Sequence, residues 1–238
     1  AARLGLACPH LEPTQRALVE RISSAADLSR TGALTAVAPW NSGDVEAALE
    51  HVERLLARDG AASTALVSLK RLLRGSQVAE SWRRGWADAA ELRDALRVSS
   101  DRPLTHDEVT EGWDVQVERP VFALERHASI VGWRAGGRPF RLTDRGNTFR
   151  DTRDLWALCF GATHDKPSVV AIGPRGHERS VANAFAAELL APVEAIRRAI
   201  GAAPVVSNDE IEEIADAVKA PPLCVLRQIQ NHQLAAVD

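Results

Sequence analysis

Apolar residues recur at helical spacing through the first hundred positions and at strand spacing in much of the next hundred. Between Pro13 and Leu28, the residues Ala17, Leu18, Ile22 and Ala25 fall near one face of a predicted helix. A second helix is predicted from about Asp44, with Val45, Leu49, Val52, Leu55 and Leu56 as its stripe and Gly60 as its stop. Leu66, Leu69, Leu72 and Leu73 mark a third, ended by Gly75-Ser76. The fourth runs from about Val78 to Val98, with Trp82, Trp86, Ala89, Leu92 and Leu96 on its apolar side.

The polar, proline-bearing joint Ser99-Ser100-Asp101-Arg102-Pro103 changes the texture. Val115 to Leu124 is strand-like, and Ser129 to Trp133 and Pro139 to Thr143 read as strands around the turn Ala135-Gly136-Gly137. Next come a helix from about Thr152 to Phe160, a strand from Ser168 to Ile172 and a long helix from Arg179 to Leu190. Ala191-Pro192 stops that last helix. Near the C-terminus, Ser207 is placed to cap a helix rich in early acids (Asp209, Glu210, Glu212, Glu213), with Ile211, Ile214, Ala215 and Val218 as its apolar face. Pro221-Pro222 ends it, and Leu223, Leu226 and Ile229 begin another.

Composition narrows the class. The 238 residues are 45% hydrophobic and 26% charged, with 29 basic and 32 acidic side chains and a net charge of −3. Such a balance gives no bulk attraction to nucleic acid or to anionic membranes. No apolar run is long enough to span a bilayer. The first thirty residues lack the plan of a signal peptide, and the three separated cysteines, Cys8, Cys159 and Cys224, suit reduced thiols. A cytoplasmic protein is the expectation. Methionine and tyrosine are both absent, and the richness in Ala and Arg matches a GC-rich coding bias.

One segment carries a resemblance. Val181-Ala182-Asn183-Ala184-Phe185-Ala186-Ala187-Glu188-Leu189-Leu190-Ala191-Pro192 is similar to the E-A-N-x-F-A-A-x-L-L-M-P helix of the ImmA/IrrE zinc metallopeptidases, with Val181 and Ala191 as departures. Ile130-Val131-Gly132-Trp133 and Gly137-Arg138-Pro139-Phe140-Arg141-Leu142 resemble the strands that precede that family's metal helix. The acidic-then-apolar C-terminal pair resembles the segment after its second helix. The resemblance runs from about Pro103 to the C-terminus. It implies an α+β fold: a zincin-like domain with a small β-sheet over residues 101–205, preceded by a helical region, 1–100, and succeeded by a helix-turn-helix-like pair, 206–238.

The family's chemistry needs His-Glu-x-x-His on a helix, where i, i+4 spacing aims both imidazoles at one zinc ion and the glutamate acts as general base. No histidine pair has that spacing here. By order of elements the motif falls at Phe149 to Ala157, which puts Arg153 at the first ligand position, Asp154 at the base position and Ala157 at the second ligand position. Arginine has no lone pair to give a metal, and alanine has no donor atom. Where the family has its third ligand this chain has Val181, and the nearest carboxylate is Glu178. Trp156 stands at the family's small glycine. The resemblance therefore implies a pseudo-peptidase without a metal cofactor. Asp154 is expected to pair with Arg153 or Arg150, and the protein to bind a regulatory partner such as a helix-turn-helix protein, or to regulate an active relative, without cutting.

Two alternatives stay open. An active zinc metallopeptidase with a rearranged site would draw on Cys159, His164, His177 and Glu178, all between the two helices concerned. A nucleic-acid-binding regulator, or a site for phosphate, would use the arginine run Arg134, Arg138, Arg141, Arg145, Arg150 and Arg153, with Arg138, Arg141, Arg145 and Arg150 as the anion contacts. The simpler expectation for that run is a charged strand edge with salt bridges. The C-terminal pair, with basic Lys219 and Arg227 against six acidic residues, suits packing better than DNA. Trp82 and Trp86 are expected in the core, Trp113 and Trp133 against the sheet, and Cys159 buried.

Overall fold

A computed structural model describes residues 42–238, apart from 59, 105–107, 109–112, 123, 125–127, 144–145, 163 and 174–175. The helix expected over Pro13–Leu28 lies outside the described residues. In chain order the elements are α1 (Ser42–Ala57), α2 (Thr64–Leu72), α3 (Ser81–Leu96), β1 (Gln116–Glu118), β2 (Ser129–Trp133), β3 (Pro139–Leu142) and α4 (Thr148–Trp156), which runs on into a π-turn (Ala157–Gly161). Then come β4 (Ser168–Ile172), α5 (His177–Leu190), α6 (Val193–Ile200), β5 (Val205–Val206), α7 (Asn208–Val218), α8 (Pro222–His232) and β6 (Ala236–Val237). The protein is thus mixed α+β, with eight α-helices among the described residues and a small mixed sheet. No described helix is long and apolar enough to cross a membrane.

The chain folds as two compact units, each assembled from separate stretches. Of the described residues, the first takes those from 42 to 67, 113 to 146 and 157 to 179; the second takes those from 68 to 112, 147 to 156 and 180 to 238. The boundaries expected near residues 100 and 205 both fall within stretches of the second unit.

In the first unit the sheet order is β1-β3-β2-β4, antiparallel except for the parallel pair β1 and β3. Ile130 stands opposite Leu142 and Ala171, and Gly132 opposite Phe140 and Val169. Strand alternation therefore puts Ile130, Phe140, Leu142 and Val169 on one face, where they share a core with Ala48, Val52, Leu55 and Leu56 of α1. On the other face, the buried Trp133 indole donates to the Leu158 carbonyl of the π-turn at 3.3 Å. The hairpin between β2 and β3 needs positive φ at Gly136 and Gly137, 79° and 80°, which glycine adopts without a Cβ clash.

The expected strand from Val115 to Leu124 is cut to three residues. Pro120, which has no N–H to donate, comes almost at once, and Phe122 turns into the α1 core instead. The helix expected over Thr152–Phe160 begins earlier, because the Asn147 side chain caps it by accepting from the Arg150 N–H at 2.9 Å. Beyond Trp156 the chain widens into the π-turn, closed by the Ala162 N–H donating to the Ala157 carbonyl at 2.7 Å.

The second unit is helical. Its core gathers Ile196, Val206, Ile211, Ala215, Val225 and Ile229 from α6, β5, α7 and α8. Ser207 and Glu210 form a reciprocal capping box at the start of α7, each satisfying the other's backbone N–H. Three helices end on left-handed residues that are not glycine: Arg97 after α3, Lys219 after α7 and Gln233 after α8. Trp82 departs from its expected place in the core. It is 42% exposed and meets Trp86 edge-on with ring centres 4.7 Å apart, while Trp86 stacks on His232 at 3.7 Å. Trp82 lies in the first turn of α3, where a periodic position does not guarantee a covering neighbour.

Helix α3 crosses α5 at Gly85. A Cβ there would stand 2.8 Å from both the Ala184 Cβ and the Phe185 nitrogen, and closer still to the Val181 carbonyl oxygen. The obstacle is largely backbone and cannot rotate away. Gly85→Ala should therefore lower unfolding free energy by about 1–3 kcal/mol, although alanine is the better helix former by about 1 kcal/mol. A urea titration that showed stabilisation would contradict this crossing.

Candidate functional site

Helix α4 carries the residues singled out for chemistry. Arg153 and Asp154 are both about 1% exposed. The Arg153 guanidinium donates to Oδ1 of its neighbour Asp154 from Nε at 3.1 Å and from Nη2 at 2.8 Å. Two buried opposite charges hold each other, so neither stands as an isolated ion in a low-dielectric interior. Ala157, fully buried, opens the π-turn. Val181 on α5, at the place of the expected third ligand, is fully buried as well.

At the C-terminal end of α4, Trp156 makes a contact that spacing alone did not reveal. Its indole Nε1 donates to Asp88 Oδ2 of α3 at 2.8 Å. Asp88 Oδ1 accepts from the Ser76 N–H at 2.6 Å, and the Arg84 guanidinium approaches Oδ2 to 3.8 Å while lying over the Trp156 ring. Asp88 has no exposed surface. Burial pushes its carboxyl above the ordinary range, opposed by hydrogen bonds from Ser76 and Trp156 and by the nearby Arg84 charge. Trp156 is thus a tie between α4 and α3, and the polar group of its indole is fully used.

The four fallback zinc donors do not assemble. Cys159 is buried in the π-turn; His164 Nε2 lies 3.2 Å from Asp165 and its ring tilts against Trp133; His177 and Glu178 are exposed in the first turn of α5. Among the described residues no group of three or more His, Cys, Asp and Glu side chains could hold a metal ion. These residues do not fit zinc.

The arginine run is also corrected. β3 lies inside the sheet, flanked by β1 and β2, so it is not an edge strand. Arg141 is buried in it, between Val117 and Val131 of its neighbours. Arg134, buried, donates to Gln116 Oε1 at 2.9 Å, pairs with Glu118 and lies over the Phe140 ring, joining β1 to the hairpin. Arg138 is half-buried and 3.7 Å from Asp114. Arg150 is half-buried in α4, and Arg145 lies outside the described residues. With Arg134, Arg141 and Arg153 buried, the run is not an exposed cationic surface. An arginine in a sequence reads as a surface residue, because the carboxylates and carbonyls that admit it to the interior come from distant positions.

Two acids that the motifs do not single out are among those placed at buried polar junctions: Asp88 and, on α5, Glu188. A signal existed for each. Asp88 stands one helical turn after Arg84, and Glu188 is the one charged residue between Val181 and Leu190.

No family model matches the chain, and neither a curated protein nor a solved structure matches it.

Removing one partner of the α4 pair takes two buried hydrogen bonds from the other. Asp154→Ala is expected to cost about 3–5 kcal/mol, and Arg153→Met combined with Asp154→Leu much less. Denaturant unfolding of the singles and the double checks this, and additivity of the singles would refute the coupling. Trp156→Phe, which deletes the donor to a fully buried carboxylate, should cost about 1–3 kcal/mol by the same measurement.

Proposed function

We propose that this protein is an ImmA/IrrE-like pseudo-peptidase: a zincin-like scaffold that has given up zinc chemistry and acts by binding a regulatory protein, of helix-turn-helix type, in the cytoplasm. The observation that carries the reading is the buried Arg153–Asp154 pair. It falls at the positions that the resemblance assigns to the first metal ligand and the general base, and an internal ion pair is a chemically sensible successor to a lost metal site. Supporting it, α5 spans the Ala-Asn motif and stops before Pro192, β2 and β3 precede α4, and α7 and α8 come after in the expected order. The acid-rich exposed side of α7 favours a protein partner over nucleic acid.

In this reading the residues of α4 do no bond-breaking. Arg153 and Asp154 fill and neutralise the interior, Ala157 supplies no donor, and Trp156 occupies space that a metal and a substrate backbone would need.

Elemental analysis of the freshly purified protein tests the proposal. The expected result is no stoichiometric zinc, a melting temperature indifferent to chelator, and no peptidase activity. Zinc near one per chain, lost together with activity on chelation, would overturn it.

A further inference from the structure

Glu188 sits where three helices meet. Its Oε2 accepts from Gln228 Nε2 of α8 at 2.6 Å, and its Oε1 accepts from the Val193 N–H, at the first residue of α6, at 3.3 Å. Gln228 has no exposed surface. Its Nε2 also donates to the Ala191 carbonyl at 3.0 Å, yet its Oε1 is buried without a hydrogen-bond partner. A buried amide with both donors engaged and its acceptor idle is only half satisfied. Beside it stands a carboxylate, which can change from acceptor to donor by taking up a proton.

The charged groups around this carboxyl are few. From α3, the Arg93 guanidinium donates from Nη2 to the Glu188 and Leu189 carbonyls at 3.1 and 2.8 Å, and its Nη1 donates to the Ser99 and Arg102 carbonyls, so both Nη groups are engaged by backbone. Asp101 and Arg102, after α3, act on Arg93. From α6, Glu194 adds a like charge, and from α8 the facing group is the neutral Gln228. Burial pushes the Glu188 carboxyl up to about 7, opposed by Gln228, the Val193 amide and Arg93.

We propose that Glu188 and Gln228 form a proton-operated latch joining α5 and the start of α6 to α8. With the carboxylate ionised, Gln228 Nε2 donates to Oε2, as in the structure. When a proton from solvent binds Oε2, that oxygen becomes the donor, and the Gln228 amide turns over so that its idle Oε1 accepts the O–H. Nε2 then leaves the Ala191 carbonyl. The direction of one hydrogen bond is reversed and another is released, so proton uptake resets how α8 is held at the α5–α6 corner. The latch stands apart from the pseudo-peptidase reading and survives its failure.

The sign of the linkage is set by the raised folded value. The native state holds this proton more tightly than the unfolded chain, so the Glu188 contribution to stability is greatest below the ordinary glutamate range. It declines as pH rises toward about 7. Across that window the unfolding equilibrium of the wild type should shift toward the unfolded state on the order of a hundredfold relative to Glu188→Gln.

The test is carboxyl and side-chain amide NMR on the full chain between about pH 5 and 9. The Glu188 carboxyl should titrate near neutrality, and the Gln228 Nε2 signals should move with the same midpoint. In Glu188→Gln those amide signals should stay still. Gln228→Leu, which removes a donor to the ionised form, should raise the Glu188 midpoint. A Glu188 titration among the ordinary carboxylates, or Gln228 signals unmoved through it, would overturn the latch. Should either variant fail to fold, the wild-type titration decides alone.

Discussion

The second unit depends on Arg93. Its side chain is 3% exposed, and its guanidinium donates to four backbone carbonyls, those of Ser99, Arg102, Glu188 and Leu189. Two of these lie in the last turn of α5, where helix geometry leaves carbonyls without partners. A fixed positive charge also suits the negative end of that helix. The same side chain binds the chain leaving α3, and the Leu104 N–H adds a further bond to the Leu189 carbonyl. A lysine could not replace it, because a compact ammonium cannot fork between two strands of backbone. With the end of α5 fixed, Ala191 and Pro192 can turn the chain directly into α6.

Buried polar groups recur in both units, and they are engaged by different devices. Arg134 joins a strand to a hairpin, Asp88 gathers an indole and an amide, and Arg153 donates twice to its neighbour Asp154. Desolvating these groups costs more than burying apolar side chains of similar size, so they are weak arguments for stability. They are better arguments for uniqueness of packing, since a shifted helix would leave a charge or a donor stranded.

Much of the architecture is legible in the sequence because it depends on local pattern. β2 and β4 occupy the residues expected for them, since continuous apolar runs bounded by turns leave little choice of register. The Ser207 cap and the stop at Pro192 are equally local. The contacts that pattern does not reveal are long-range. Asp88 and Trp156 are 68 positions apart, and nothing in spacing joins them. Arg141 resembles an edge residue because strand order cannot be read from one strand. Of the candidate site, the adjacency of Arg153 and Asp154 is visible in the sequence and suggests their pairing. Its near-complete burial is not visible, because burial of an arginine depends on everything packed above it.

The three helix ends at Arg97, Lys219 and Gln233 have a consequence for how much change the chain can absorb. Each holds a residue with a Cβ at positive φ, between 52° and 57°, a conformation that costs a side-chain-bearing residue about 1 kcal/mol relative to glycine. None of the three helices depends on the side chain at its left-handed end for its core. The helical unit is accordingly well short of its stability ceiling. Three independent sites stand ready to compensate for drift elsewhere, the kind of reserve on which new surface chemistry can be tried before the fold gives way.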